Sequence, residues 1–166
     1  MFKVDVAGDR KIQATVALLK LAPRRVRTYM TRAARKAITA LWRPAVQSYA
    51  TTRMARRVIA SGARGVVASD TFHLTAATSK RPLSGGLVPT DSWHGVEFGA
   101  VPQEVQVTVA GRSRSQRINT QFGPRVSKGR VAYRAARDVG PEVVAAWTDA
   151  AVAGAVQGTA LETKGS

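Results

Sequence analysis

The spacing of apolar residues predicts a long amphipathic helical segment between Pro23 and Ile59. Pro23 suits the first turn of this helix, and Pro44 is expected to kink or restart it, because an internal proline removes one hydrogen bond and clashes with the preceding turn. Counted from Val26, apolar side chains recur with the period of one helix face, at Met30, Ala33, Ala37, Ile38 and Leu41.

Shorter patterns on both sides of this segment predict strands and one more helix. Residues 2–6 alternate apolar and polar and predict a first strand, and Ile12–Leu21 predicts a short helix. Residues 65–78 are rich in β-branched side chains and predict one strand or two. Residues 93–100 and 105–111 predict an antiparallel hairpin around Pro102.

The last third of the chain combines a basic stretch with a helix. Residues 111–130 are polar and lack periodicity, which predicts a long functional arm or a locally disordered loop. Pro141 and Glu142 suit the first turn of a helix over 141–156, and residues 157–166 are expected to form a flexible tail. The order of strand, helices, antiparallel strands and a C-terminal helix predicts one α+β domain over residues 1–156.

Charge is the feature that distinguishes this chain from an ordinary globular protein. The 166 residues include 26 Lys+Arg and 10 Asp+Glu, which gives a net charge of +16 and a pI of about 11.6. No acidic residue lies between Asp9 and Asp70, where there are fourteen cations, or between Glu104 and Asp138, where there are eight. Such an excess indicates work near nucleic acid, an anionic membrane or an acidic protein assembly.

Two groups of cations are candidates for binding a polyanion or a partner. The alternative for the first group is a solvated helix face without a partner. Such faces usually carry acidic and basic residues that form i,i+4 ion pairs, but no acid interrupts the cations of the long helix. The second group shares the basic stretch, and arms of this kind dock on nucleic acid or invade a neighbouring subunit. The candidate residues are Arg25, Arg32, Lys36 and Arg43 on the helix, and Arg112, Arg114, Arg117, Arg125, Lys128 and Arg130 on the arm.

Catalytic motifs are missing from the sequence, so we expect a protein that is not an enzyme and uses no metal or cofactor. There is no cysteine, and the two histidines, His73 and His94, have no partner at metal-ligand spacing. Both are predicted to lie in strands as structural or surface side chains. No phosphate-binding loop, nucleophile elbow or dinucleotide fingerprint occurs. The absence of an apolar leader or a spanning stretch predicts a soluble product made or assembled inside a cell, without a membrane partner.

Several short segments resemble the tail-completion or neck proteins of long-tailed double-stranded DNA phages. These segments are GVEFGA (95–100), QFGPR (121–125), VAYRAARD (131–138) and the closing helix. The resemblance implies an N-terminal helix on a small antiparallel sheet, a strand near Glu97-Phe98-Gly99, a loop and a last helix. Two patterns depart from the family: Ser84-Gly85-Gly86-Leu87 replaces Thr-Gly-x-Leu, and Ala132-Tyr133 replaces Pro-aromatic.

The resemblance also implies a function. It implies a virion structural protein, assembled in the host cytoplasm, that forms a sixfold or twelvefold ring at the head–tail junction. Its partners would be neck, portal or tail-tube proteins, with non-specific contact to DNA in the lumen. The basic faces would meet either DNA backbone or acidic surfaces of neighbouring ring proteins. The main rival is a monomeric or dimeric protein that binds nucleic acid without sequence specificity, and a second is a minor phage protein that binds the tape measure or tube.

Overall fold

A computed structural model describes residues 2–5, 10–68, 71–109 and 111–163, and it has the expected α+β fold. Val6, predicted in the first strand, and residues 164–166 of the predicted tail lie outside the described residues. The helices are α1 (Arg10–Leu21), α2 (Arg24–Tyr49), α3 (Arg53–Val58), α4 (Pro89–Phe98) and α5 (Ala132–Thr163). The strands are β1 (Phe2–Asp5), β2 (Arg64–Val67), β3 (Phe72–Ala76), β4 (Gln103–Val109) and β5 (Arg112–Ile118).

The strands form two separate antiparallel sheets. The first has three strands in the order β1-β3-β2, so the last strand in sequence lies in the centre. This arrangement confirms the predicted first strand and shows that residues 65–78 contain two strands. Among the described residues, the second sheet consists of β4 and β5.

The buried face of α2 differs from the predicted one. Val26, Met30 and Ile38 are buried as expected, whereas Ala33, Ala37 and Leu41 are only half-buried. The core instead receives every fourth residue, and the full buried set is Val26, Met30, Ala34, Ile38, Trp42 and Val46. A row spaced by four turns gradually around the helix, which lets α2 contact the sheet and a second helix in succession.

Trp42 and Ile38 fix α2 against the three-stranded sheet. The buried Trp42 indole donates to the Thr75 carbonyl of β3 at 2.9 Å, so its N–H is satisfied inside the core. A Cβ at Gly65 of β2 would lie 2.5 Å from Cγ2 of Ile38, so a glycine is needed for this close approach.

The pairing of α2 with α5 forms the other half of the core, and the two helices run antiparallel. Tyr49 at the end of α2 contacts Asp138 near the start of α5, while Met30 lies against Gly154. Trp147 of α5 is fully buried, and its ring centroid lies 5.0 Å from that of Phe72 in β3. The sheet and both helices therefore share one core.

Both internal prolines lie within continuous helices. The long helix does not restart at Pro44, one of the two outcomes expected there, but continues to Tyr49. The predicted start of the last helix at Pro141 is wrong, because α5 begins at Ala132. Both rings are exposed, as are Ala40 and Arg137, whose carbonyls lose a hydrogen bond to the prolines. Water can solvate those carbonyls, which reduces the cost of each proline. Helix α5 also continues through 157–163, which were predicted to belong to a flexible tail.

The predicted strand over residues 93–100 is also wrong, because this segment belongs to α4. Pro89 begins the helix, Asp91 lies in its first turn, and Gly99 ends it with a φ of 73°. These are ordinary helix start and stop signals that outweigh the short alternation of Val96 and Phe98. Strand β4 pairs with β5 instead, so part of the predicted basic loop at 111–130 is a strand.

A buried carboxylate at Glu97 of α4 caps the N-terminus of α5. The side chain is fully buried and accepts hydrogen bonds from the backbone N–H groups of Val131, Ala132 and Tyr133 at 2.9–3.2 Å. These are groups that the first turn of a helix leaves without a partner, and the helix dipole also favours a negative charge there. A Cβ at Gly129 would lie 2.5 Å from Oε1 of Glu97, so a larger residue would displace the carboxylate.

We predict that Glu97→Gln lowers the free energy of unfolding by roughly 2–4 kcal/mol, because hydrogen bonds to a charged acceptor are lost and an amide N–H₂ faces backbone donors. Urea denaturation measures the change. Glu104→Gln is the control, since Glu104 is exposed on β4 and a change within about 0.5 kcal/mol is expected there. Equal midpoints for the two variants would show that the charge at Glu97 is not needed.

A second prediction concerns the α2–α5 contact. A Cβ at Gly154 would lie 2.7 Å from the Met30 Cα, so Gly154→Ala must push two backbones apart and is expected to destabilise by about 1–3 kcal/mol. Ala153 is the neighbouring residue of the same helix and is exposed, so Ala153→Gln should change stability by about 0.5 kcal/mol or less. Thermal melts that give both variants the same midpoint would contradict this assignment of the interface.

Candidate polyanion- and partner-binding surfaces

The predicted cations of α2 form one exposed stripe. Arg25, Arg32, Lys36 and Arg43 are all exposed, and their spacing places them within about 40° of one another around the helix axis. We call these four residues the α2 stripe. It extends about 27 Å along the helix, on the side away from the core. None of the four forms a hydrogen bond or ion pair with another described residue.

A shallow groove lies along the middle of the α2 stripe. It has a volume of about 540 Å³, and its lining includes Thr39, Ala40 and Pro44 together with three members of the stripe. Arg35 joins it from the sheet side, where its guanidinium lies 3.5 Å from the Val67 carbonyl. The groove is therefore a cationic surface with small side chains between the charges, which allows an extended anionic chain to approach closely.

The arm residues of the sequence prediction separate into two places. Arg112, Arg114 and Arg117 lie on β5. Within the described ranges this strand pairs with β4 alone, and all residues of the two strands are exposed or half-buried. This hairpin, residues 103–118, packs chiefly on itself rather than on the helical core. A two-stranded sheet is marginally stable alone, so a partner surface would contribute to its order.

The remaining arm residues line a basin before and along the first turns of α5. Arg125, Lys128 and Arg130 come from the loop after β5, and α5 adds Arg134 and Arg137. We call these five residues the basic basin. The cavity measures about 750 Å³, and hydroxyl groups of Thr51, Thr52 and Ser127 also line it. Cations and hydroxyls in this combination suit phosphate or carboxylate oxygens.

The walls of the basic basin are held by contacts across the α2–α5 pair. The Arg134 guanidinium carbon lies 5.5 Å from the centroid of the Tyr49 ring, a cation–π distance. The Tyr49 hydroxyl donates to Asp138, and this hydrogen bond raises the pKa of Tyr49 above its usual value of 10.0. Arg130 donates to the Pro124 carbonyl, which fixes the loop. An anion entering the basin would therefore meet positioned side chains.

Helix α5 itself offers no anion site at its N-terminus. A free helix N-terminus would attract phosphate through its unpaired N–H groups. Here the Glu97 carboxylate already accepts from Val131, Ala132 and Tyr133. Binding in the basic basin would thus depend on side chains alone, with the negative charge of Glu97 buried behind them.

Sequence reasoning missed Arg134 and Arg137, although a signal for them existed. The two are spaced by three residues, so they are neighbours on one face if the segment is a helix. Recognising Glu97 as the helix cap would have identified the segment as helical. The ten predicted cations do not form one site: four lie on α2, three on the hairpin and three in the basic basin.

The histidines and carboxylates form no site in the described part of the chain. His73 lies half-buried in β3 as predicted, whereas His94 lies exposed on α4 rather than in a strand. The described residues contain no group of three or more His, Cys, Asp or Glu side chains arranged for a metal ion. No helix within the described ranges is long and apolar enough to cross a membrane.

Comparisons with protein-family models, with curated protein sequences and with solved structures give no significant match.

Proposed function

We propose that this protein is a structural component of the phage head–tail junction, where it forms a ring in the neck or at the top of the tail and helps join the tail to the DNA-filled capsid. The observation that carries the assembly part of this proposal is the β4–β5 hairpin. It packs chiefly on itself, leaves Val109 exposed and Val105 and Val107 half-buried, and is too small to be stable without support. Such an element favours a chain that is completed by neighbouring subunits.

The cationic surfaces support a position beside DNA. The α2 stripe and the basic basin present arginines and lysines without a recognition helix of the kind that reads base edges. Backbone contacts need only cations at phosphate spacing, and they let DNA slide past without sequence preference. That behaviour suits a channel through which packaged DNA moves. Acidic neighbours in the neck would use the same surfaces.

The resemblance to neck and tail-completion proteins adds the specific location, and the structure limits how far that resemblance extends. The long α2 on a small antiparallel sheet and the last helix agree with the implied fold. The implied strand at Glu97-Phe98-Gly99 does not, because these residues end α4. We therefore rest the proposal on the hairpin and the cationic surfaces together, with the resemblance as support.

Electron microscopy tests the proposal directly. We expect the purified protein to form closed rings, and we expect antibody labelling of phage particles to mark the junction between head and tail. A protein that stays monomeric, shifts DNA at physiological salt and is missing from purified particles would overturn the proposal in favour of the rival.

That rival, a nucleic-acid-binding protein without sequence preference, is favoured by one observation, the unpaired α2 stripe. Replacing Arg25, Arg32 and Lys36 by Gln is expected to leave folding intact, since exposed changes usually alter stability by about 0.5 kcal/mol or less each. If the stripe contacts phosphates, a plot of log affinity for duplex DNA against log salt should become less steep in the variant, with a slope smaller in magnitude by about 3. For the junction function, the same variant should weaken ring assembly or DNA retention in particles.

The matched control places the same charge loss elsewhere on the surface, with the exposed Arg53, Lys80 and Arg81 replaced by Gln. An equal effect from both triple variants would mean that net charge rather than the α2 stripe is responsible. Unfolding of the stripe variant by circular dichroism would show that these cations are structural.

A further inference from the structure

The register of the β4–β5 hairpin gives it two different faces. Residues directly opposite in an antiparallel pair share a face, and successive residues alternate between faces. On one face Glu104 is opposite Arg117 and Gln106 is opposite Ser115. This face is polar and satisfies itself in part, because the Ser115 hydroxyl donates to Glu104 at 2.9 Å.

The other face, which we call the valine face, is apolar and cationic. Val107 is opposite Arg114 and Val109 is opposite Arg112, with Val105 continuing the row toward the base of the hairpin. Val109 is 63% exposed and both arginines are exposed as well, whereas Val105 and Val107 are half-buried. Among the described elements, none outside the hairpin makes more than a minor contact with β4 or β5.

A surface of matching chemistry runs along the outside of α5. Its residues are spaced so that they lie within about 80° around the helix axis, and all are exposed. Its two valines, Val152 and Val156, are 46% and 65% exposed. We call this surface the α5 stripe, and its members are Glu142, Ala145, Asp149, Val152 and Val156.

The carboxylates of the α5 stripe have no partner within the described residues. Glu97 and Asp138 are used inside the fold, and Asp91 and Glu104 accept from neighbouring hydroxyls. Glu142 and Asp149, by contrast, form no hydrogen bond or ion pair with any described side chain. Of the acids between residues 91 and 149, Glu142 and Asp149 are therefore the two without a described partner. They share one helix face with two exposed valines.

We propose that the valine face of one copy docks along the α5 stripe of a second copy. The two surfaces have similar lengths, since seven strand residues span about 20 Å and residues 142–156 of a helix span about 21 Å. Arg112 and Arg114, near the hairpin tip, would meet Glu142 and Asp149. Val105 and Val107 would meet Val152 and Val156, so that both charge and apolar area are complementary.

A second copy fits these surfaces better than nucleic acid does. Glu142 and Asp149 would repel phosphates, and the valines would remain exposed to water. The contact joins two different patches, so it is heterologous and generates a ring if the rotation closes. This inference therefore supplies the contact by which the proposed ring would form, and it rests on that assembly.

The area of one contact is small. Two strands about 20 Å long and about 5 Å apart present much less than the roughly 800 Å² per partner of a standard interface. We therefore expect association that depends on protein concentration, with closed rings favoured because every subunit makes two contacts.

Charge reversal tests the pairing, with self-association measured by sedimentation velocity on nuclease-treated protein. One variant carries Arg112→Glu and Arg114→Glu, and the other carries Glu142→Arg and Asp149→Arg. Each alone should weaken self-association about tenfold or more. An equimolar mixture of the two should recover it, because every hairpin then finds a complementary stripe. All four changes in one chain should recover it as well.

Single substitutions provide the matched control. Arg114→Gln and Arg117→Gln each remove one charge from β5, but only Arg114 lies on the valine face, so only the first should weaken association. Recovery in the mixture also shows that both reversed variants are folded.

Two results would overturn the inference: association of wild type that neither reversal changes, or a wild type that remains monomeric at every concentration. Rings that persist in the reversed variants, or particles labelled at the junction, would leave the proposed function standing while this contact fails. Absence of the protein from particles, with the charge-swap recovery intact, would reject the junction and keep the contact.

Discussion

The buried carboxylate of Glu97 is the interaction on which the arrangement of the second half of the chain depends. It joins α4 to the first N–H groups of α5 across more than thirty residues of sequence, and it fixes where α5 begins. Because the first turn is capped there, α5 begins at Ala132, before Pro141, and runs antiparallel to α2. The basic basin then forms around that capped turn, with its cations on the solvent side of a buried negative charge.

Local patterns in the sequence are sufficient to predict several elements of the first half of the chain. Alternation predicts β1 and helical spacing predicts the helix after Pro23, while the β-branched side chains of residues 65–78 predict one strand or two. The pattern cannot rank the faces of α2, because Ala33, Ala37 and Leu41 continue the apolar period while Trp42 and Ala34 take the core. The choice is made by the sheet, where the Thr75 carbonyl accepts from Trp42.

The errors in the second half all involve the role of Glu97. Glu97 resembles the polar position of a strand when only Val96 and Phe98 are considered, and its role is visible only when residues 131–133 lie beside it. A strand assumed at 93–100 gives β4 the wrong partner and makes β5 a loop. Pro141 and Glu142 imitate a helix start, and without the Glu97 cap nothing in the sequence marks the earlier one. The α2 stripe is predictable because all its members lie on one helix, whereas the basic basin combines residues from a loop and from α5 that only tertiary structure brings together.

The distribution of acids connects the charge of the chain to its proposed assembly. Glu97 and Asp138 are used in the α4–α5 and α2–α5 contacts, which leaves Glu142 and Asp149 on the α5 stripe. Most other exposed charged side chains are positive. A ring of copies that each carry +16 concentrates like charge, and this repulsion acts against the local attraction between hairpin and α5 stripe. Added salt weakens both effects, but the repulsion acts over longer distances and is screened first. Self-association that rises with moderate salt, or with a polyanion bound along the α2 stripe, would therefore identify neutralisation of the cationic surfaces as the step that permits the ring to close.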